Sequence, residues 1–139
     1  MMIKDFATYG IEGKAQPRYF FYGIVVLAKI DLVWGWKYKP QAYSLMANFM
    51  TLIRRSNSNY TRLRCFDLYK LHSWARGLTE FGDGRNQQST SGAVNAYYVA
   101  ALMGQVYGHP HLLAIGSTVT SLEILSGTNV VACERGSAI

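Results

Sequence analysis

Apolar positions in the first third of this chain follow the spacing expected of helices. Residues 18–30 are apolar almost all round, which is typical of a buried helix. Pro17 just before them suits a first helical turn, where the N–H groups have no intrahelical partner. Gly35 then interrupts the pattern. A second helix is predicted from Pro40 to Arg55, where the apolar residues form one stripe: Tyr43, Leu45, Met46, Phe49, Met50 and Ile53.

A long segment without sustained periodicity follows these two predicted helices. Residues 56–59, Ser-Asn-Ser-Asn, indicate a turn. Residues 60–87 then mix polar, aromatic and glycine residues, as do loops that carry function on a scaffold. A third helix is predicted to begin near Ser89–Ser91 and to continue to Val106.

The end of the chain predicts one more helix. Gly108 and Pro110 punctuate the sequence, and a fourth helix is predicted from His111 to Leu125. Residues 1–18 are expected to be irregular, and 126–139 are expected to form an irregular tail. The predicted fold class is therefore all-α, with about four helices and one long motif-bearing loop between the second and the third.

Composition and charge fit a globular domain without a strongly charged partner. The chain has 139 residues, of which half are apolar and 16% are charged, so it can bury a core and is not disordered by composition. The net charge is +6, which can indicate nucleic acid or an anionic membrane. The basic residues come in pairs, such as Arg54–Arg55 and Arg62 with Arg64, and not in runs. Solvated loops and helix ends explain these pairs better, so neither nucleic acid nor membrane is the favoured partner.

The sequence predicts no export signal and no membrane span. The N-terminal residues 1–10 lack the apolar region of a signal peptide. The longest apolar run, 19–28, is too short to cross a bilayer. A cytoplasmic or non-classically exported protein is expected on these grounds.

Metal and cofactor sites are not indicated. His109 and His111 flank a proline and have no third ligand in view, whereas metal sites use three or four ligands. A turn at a helix start is the favoured interpretation. The glycines 82, 84 and 92 do not form a phosphate-binding loop. No cofactor and no metal are therefore predicted.

Three blocks of the chain resemble a known family. They read YFFYGIVVLAKIDLVWGWKYKPQAYSLMANFMTL, NYTRLRCFDLYKLHSWARGLTEF and DGRNQQSTSGAVNAYYVAALMG. From about Tyr19 to Ile124 the chain resembles the plant branch of glycoside hydrolase family 81, the endo-1,3-β-glucanases. The resemblance implies an (α/α)6-type helical toroid that hydrolyses internal β-1,3-glucosidic bonds by inversion. Whole members are several times longer, so 19–125 is interpreted as a partial catalytic domain.

The resemblance also indicates that catalytic carboxylates are missing. Inversion uses one carboxyl group as acid and another as base. The family pattern NQESxSEAVNAxY carries two glutamates, expected on one helical face because residues four apart are helix neighbours. Here those positions are Gln88 and Gly92. The family's acid motif has no match before Tyr19–Phe20, and Glu12 near the expected offset is interpreted as a surface carboxylate. The chain is therefore expected to be inactive or nearly so.

Other matched positions are intact, and the resemblance implies that they line the sugar-binding cleft. They are Asp67, His72, Trp74, Asp83, Asn86 and Gln87. Asp67, His72 and Asp83 can hydrogen-bond glucose hydroxyls, and Trp74 can stack on a pyranose ring. Structural alternatives stay open for the same residues: a loop-bracing aspartate, a satisfied core histidine and a core tryptophan.

The sequence allows two functions other than that of an inactive glucanase fragment. The intact blocks allow a residual β-1,3-glucan-binding module. The basic pairs, interleaved with Tyr60, Phe66 and Tyr69, allow RNA binding. An incomplete toroid also predicts large exposed apolar patches, because some helix faces lack partners.

Overall fold

The described part of the chain is a small helical fold with one short hairpin. The computed structural model describes residues 17–47, 49–50, 63, 65–75, 77–78 and 86–136, with side chains placed from 20 to 128 of these. Helix α1 spans Pro17–Ile30, α2 Leu32–Met46, α3 Thr90–Val106 and α4 Pro110–Gly136. Strands β1, Phe66–Asp67, and β2, His72–Ser73, pair antiparallel. The mostly helical fold class is confirmed, whereas membership of a partial (α/α)6-toroid stays an expectation.

Helix α2 differs from the predicted second helix. It begins at Leu32, so Pro40 lies inside it and Gly35 does not interrupt it. Asp31 caps its start, because its carboxylate accepts a hydrogen bond from the Trp34 backbone N–H at 3.0 Å. A Cβ at Gly35 would lie 3.0 Å from Cα of Ala28. Glycine is therefore needed where α2 crosses α1 closely, and the missed signal was the Asp31 cap.

The later part of α2 continues through its proline. Ala42 and Met46, which follow Pro40, are both buried. Burial of these side chains outweighs the one backbone hydrogen bond that a proline removes. Residues 51–55 of the predicted second helix lie outside the described residues.

Helix α4 runs antiparallel to α3 over the full length of α3. Three glycines face the neighbouring helix or its loop so closely that a Cβ would meet it within 3.0 Å. A Cβ added at Gly104 would clash with the backbone nitrogen of Leu113. A Cβ at Gly116 would lie 2.7 Å from the backbone nitrogen of Ala101, and one at Gly127 would lie 2.8 Å from Thr90 Cγ2. The irregular tail predicted at 126–139 is therefore wrong for 126–136. Within this stretch, Gly127 packs against Thr90 at the start of α3.

Helix α3 lies at the centre of the fold. Its buried side chains include Tyr97, Val99 and Met103, which join Phe21 and Ile24 of α1 in one core. Leu112 and Val119 of α4 and Phe66 of β1 belong to the same core. The hairpin is consequently fixed to the helices through Phe66, whose ring meets Tyr97 edge-on at 5.9 Å between centroids.

A group of exposed apolar side chains lies around the α1–α2 junction. Ile30 is 78% and Val33 81% exposed. Their exposed neighbours in sequence are Val26, Leu27, Leu32 and Trp36. Single apolar side chains are thus exposed here, while the large contiguous patches expected of an incomplete toroid stay a prediction.

None of the described helices is both long enough and apolar enough to cross a bilayer.

Candidate functional site

Asp67 braces the hairpin turn. Its Oδ1 accepts hydrogen bonds from the backbone N–H of Tyr69 at 2.9 Å and of Lys70 at 3.1 Å. Its Oδ2 accepts from the indole N–H of Trp74 at 3.2 Å. The N–H of Lys70 and then the indole N–H of Trp74 hold the pKa of Asp67 below its ordinary value. Asp67 is thus a loop-bracing aspartate here, and its contact with sugar stays a prediction.

His72 and Trp74 form an aromatic pair that we call the platform. Their ring centroids lie 4.6 Å apart in a T-shaped arrangement. Both side chains are half-buried, so each offers part of its surface to solvent. Because Asp67 accepts the Trp74 indole N–H, the orientation of the Trp74 ring is fixed from one side by a hydrogen bond and from the other by His72.

The segment Asn86–Gln88 runs beside strand β2 and brings the two predicted blocks together. Asn86 O accepts a hydrogen bond from the Ala75 N–H at 2.9 Å, and Ser73 O accepts one from the Gln88 N–H at 2.8 Å. Asn86 and Gln87 are exposed next to the platform. Five of the six predicted cleft residues therefore lie in one place, while Asp83 lies outside the described residues.

Positions 88 and 92 do not share a helical face, so that expectation is wrong. Helix α3 begins at Thr90, after an extended N-cap at Ser89. Gln88 precedes the cap and pairs through its backbone with Ser73, while Gly92 is buried in the first turn of α3. Strand-like pairing with β2 prevents the helix from extending back to position 88.

A buried carboxyl group that the sequence analysis missed lies beneath the hairpin. Glu123 on α4 is 1% exposed. Its Oε2 accepts a hydrogen bond from Ser73 Oγ at 3.0 Å, and its Oε1 accepts from the Ser73 backbone N–H at 3.4 Å. Ser73 Oγ also lies 2.8 Å from the Tyr97 hydroxyl. The available signal was a glutamate between the apolar residues Leu122 and Ile124 of α4.

Burial controls the ionisation of this cluster. Desolvation raises the pKa of Glu123, and the hydrogen bonds from Ser73 and the nearby His72 offset part of that increase. Desolvation likewise raises the pKa of Tyr97. Tyr97 therefore stays a neutral hydroxyl that can either donate to or accept from Ser73.

Sequence and structure comparisons place this hairpin and its helices in a known family. The model of the glycosyl hydrolase family 81 C-terminal domain matches residues 17–139. The chain belongs to glycoside hydrolase family 81. Over 106 residues it is 68% identical to a glucan endo-1,3-beta-D-glucosidase of Glycine max, covering 76% of this chain and 16% of that protein.

More distant members of family 81 give the same match. The chain is 29% identical over 124 residues to a glucan endo-1,3-beta-D-glucosidase of Acetivibrio thermocellus, covering 85% of this chain and 16% of the relative. A mutant of a glycoside hydrolase family 81 protein from Clostridium thermocellum superposes with a TM-score of 0.69 at 28% identity. That match covers 79% of this chain and 16% of the solved one. The chain thus spans about a sixth of the length of these family 81 relatives.

Every carboxylate whose side chain is described in this family 81 chain already has a hydrogen-bonded partner. Asp31 caps α2, Asp67 accepts three N–H groups, and Glu123 accepts from Ser73. None of the three stands beside a second carboxylate across an open groove. Within this part of the chain, the arrangement favours holding structure over proton transfer.

His109 has a structural role at the start of α4. Its Nδ1 accepts a hydrogen bond from the Leu112 backbone N–H at 3.1 Å. This confirms the interpretation of the His109–His111 stretch as a helix-start turn. Across the described residues, no group of three or more histidine, cysteine, aspartate or glutamate side chains could hold a metal ion.

The described aromatic residues do not favour the RNA alternative. Phe66 is 1% exposed and packs in the core, so it cannot stack on a base. Tyr69 is fully exposed at the hairpin turn. Tyr60 and the basic residues at 54, 55, 62 and 64 lie outside the described residues. One of the two described aromatic residues is therefore unavailable for the proposed stacking.

The bracing role of Asp67 predicts a pH-dependent effect of Asp67→Asn. The amide accepts fewer and weaker hydrogen bonds than the carboxylate, so the free energy of unfolding should fall by roughly 1 kcal/mol at neutral pH. Because the folded pKa of Asp67 is lowered, its contribution is present above the ordinary carboxyl pKa and is lost as pH falls through the folded value. Urea unfolding at pH 7 and at about pH 2.5 should show the difference shrinking in acid. An equal difference at both pH values would contradict the role of the charge.

Proposed function

We propose that this chain is a catalytically silent, glucan-contacting part of a family 81 glucanase fold. The observation that carries the proposal is the pair Gln88 and Gly92 at the two glutamate positions of the family pattern. The relatives are named glucan endo-1,3-beta-D-glucosidases, which supports β-1,3-glucan as the ligand.

Loss of hydrolysis follows from the chemistry of these two side chains. An inverting hydrolase needs a base that takes a proton from the attacking water and an acid that protonates the leaving oxygen. Gln88 can orient a water through its amide and cannot accept the proton. Gly92 has no side chain. Neither position can therefore perform proton transfer.

The described carboxylates do not replace the missing groups. Asp67 has both oxygens occupied by N–H donors and a lowered pKa, which makes it a weak base and a poor acid at neutral pH. Glu123 is buried and cannot reach a glycosidic oxygen at the surface. Among the described residues, neither Asp67 nor Glu123 is therefore placed to transfer a proton at a bound sugar.

Contact with glucan is assigned to the platform and to the exposed amides beside it. Trp74 offers an aromatic surface of fixed orientation, which suits stacking on a pyranose ring because little side-chain entropy remains to be lost. Asn86 and Gln87 are exposed next to Trp74 and can donate to and accept from sugar hydroxyls. This combination of one ring face and several amides is suited to a neutral polysaccharide.

Hydrolysis is tested by release of reducing ends from laminarin. Because each proton-transfer role is typically worth about 10²–10⁴ in rate, the purified chain should be at least about 10²-fold slower per mole than the Glycine max relative. Buffer and heat-denatured enzyme set the background. Turnover within tenfold of the relative would overturn the proposed loss of catalysis.

Glucan contact is tested by co-sedimentation with insoluble β-1,3-glucan. The chain should be retained, and Trp74→Ala should reduce the retained fraction severalfold because it removes the stacking surface. Trp36→Ala is the matched control, since Trp36 is an exposed tryptophan on α2 and not part of the platform. Equal retention of the two variants would show that Trp74 is not the contact.

A further inference from the structure

Ser73 lies between the two platform residues and points the opposite way. Successive side chains of a strand alternate between its faces, so Ser73 faces inward while His72 and Trp74 flank it. Ser73 is 2% exposed. Any group that fixes Ser73 therefore also fixes the backbone that carries both platform rings.

The backbone of Ser73 depends on a residue fifty positions away. Its C=O accepts from Gln88, but its N–H points away from β1 and has Glu123 Oε1 as its partner. Its hydroxyl lies between Glu123 Oε2 and the Tyr97 hydroxyl. Without Glu123 a buried backbone N–H would lose its acceptor, which costs more than the loss of an exposed hydrogen bond.

We propose that Glu123 is a positioning residue that holds strand β2, and with it the His72–Trp74 platform, in the orientation that meets glucan. The glucan part of this statement rests on the function proposed above. Glu123 touches no sugar itself. It acts through Ser73, and it connects helix α4 to both the platform and the Asn86–Gln88 segment.

The hydrogen-bond chain can be satisfied in either protonation state of Glu123. When the carboxyl group is ionised, Tyr97 donates to Ser73 Oγ, and Ser73 donates through Oγ and N–H to Glu123. When it is protonated, Glu123 donates to Ser73 Oγ, and Ser73 Oγ donates to Tyr97. The titratable groups around it are His72 on β2, Tyr97 on α3 and, beyond Tyr97, Cys65 before β1.

Substitutions that keep or remove the hydrogen bonds between residue 123 and Ser73 distinguish a positioning role from simple space filling. Glutamine keeps the shape, accepts from the Ser73 N–H and donates to Ser73 Oγ. Leucine has a similar volume and leaves the Ser73 N–H without an acceptor. A positioning role predicts that Glu123→Gln is tolerated and Glu123→Leu is not. Simple space filling at this buried position predicts instead that leucine is tolerated at least as well.

The experiment compares these two variants in a background with Trp34→Phe and Trp36→Phe, so that emission reports on Trp74. Glu123→Leu should shift Trp74 emission and raise the exchange rate of the Ser73 amide, followed by NMR, by about tenfold or more. Its affinity for soluble laminarin should fall at least severalfold. Glu123→Gln should leave all three close to the unmodified protein. An unchanged Ser73 amide and Trp74 emission in Glu123→Leu would overturn the proposal.

Milder changes cover the case in which Glu123→Leu does not fold. Ser73→Ala removes the hydroxyl link but keeps Glu123, and Tyr97→Phe removes only the outer hydroxyl. Ser73→Ala should alter Trp74 emission more than Tyr97→Phe, and equal emission from both variants and the unmodified protein would again overturn the proposal. If the unmodified chain does not bind laminarin, the proposed glucan contact fails, whereas amide exchange and emission still decide the role of Glu123.

Discussion

A chimera of the Glycine max relative that carries this chain's sequence over the 106 matched residues should lose about 10²-fold or more of its laminarin-hydrolysing rate. At 68% identity most packing positions are shared, so the chimera is expected to fold. The loss follows because glutamine and glycine replace the two glutamates that the family pattern places at 88 and 92. Release of reducing ends per mole of folded chimera is the measurement.

Restoring the carboxylates in the same chimera is the matched control. Gln88→Glu together with Gly92→Glu should recover most of the lost rate, because the rest of the relative supplies the remaining catalytic groups. The same double change in the isolated chain should recover nothing, since the matching acid motif is absent from its sequence. A chimera that is fully active before restoration would show that positions 88 and 92 do not determine the rate.

Gly116→Ala should lower the free energy of unfolding by about 1–3 kcal/mol through overpacking between α3 and α4. A Cβ there would lie 2.7 Å from the backbone nitrogen of Ala101 and 3.0 Å from the carbonyl oxygen of Tyr97. Both are backbone atoms of a rigid helix, so the helices must separate. Urea unfolding followed by circular dichroism measures the change.

Gly23→Ala is the matched control for this substitution. Gly23 also lies inside a helix, is exposed, and has no atom within 4 Å of a Cβ at its position. Alanine there should raise the free energy of unfolding by about 0.5–1 kcal/mol, because it restricts the unfolded chain and favours helix. Opposite signs for the two substitutions are expected, and a stabilising Gly116→Ala would contradict the close helix contact.

Prediction from sequence succeeded where local pattern and packing agree. Residues 18–30 are apolar all round and form α1, and the third helix runs to Val106 as predicted. The prediction failed at α2. Gly35 was interpreted as a break between helices and Pro40 as the start of the second helix, but both lie inside α2. The close approach of Gly35 to Ala28 gives the glycine a packing reason that its neighbours in sequence do not reveal.

The sequence predicted which residues belong to the candidate site, but not the contacts that hold them in place. The family blocks contain Asp67, His72, Trp74, Asn86 and Gln87, and the structure brings these together around β2. The strand-like pairing of Gln88 and the buried Glu123 were both missed. Both features involve Ser73, which contacts Gln88 and Glu123, residues far from it in sequence.

The sequence by itself determined the family, the mainly helical fold and the absence of glutamate at positions 88 and 92, because these depend on residue identity and local periodicity. Only the tertiary structure decided that Asp67 braces the turn, that Gln88 lies outside α3, and that Glu123 holds Ser73. These outcomes depend on which buried N–H groups find acceptors, and those acceptors lie on elements that are brought together only by folding.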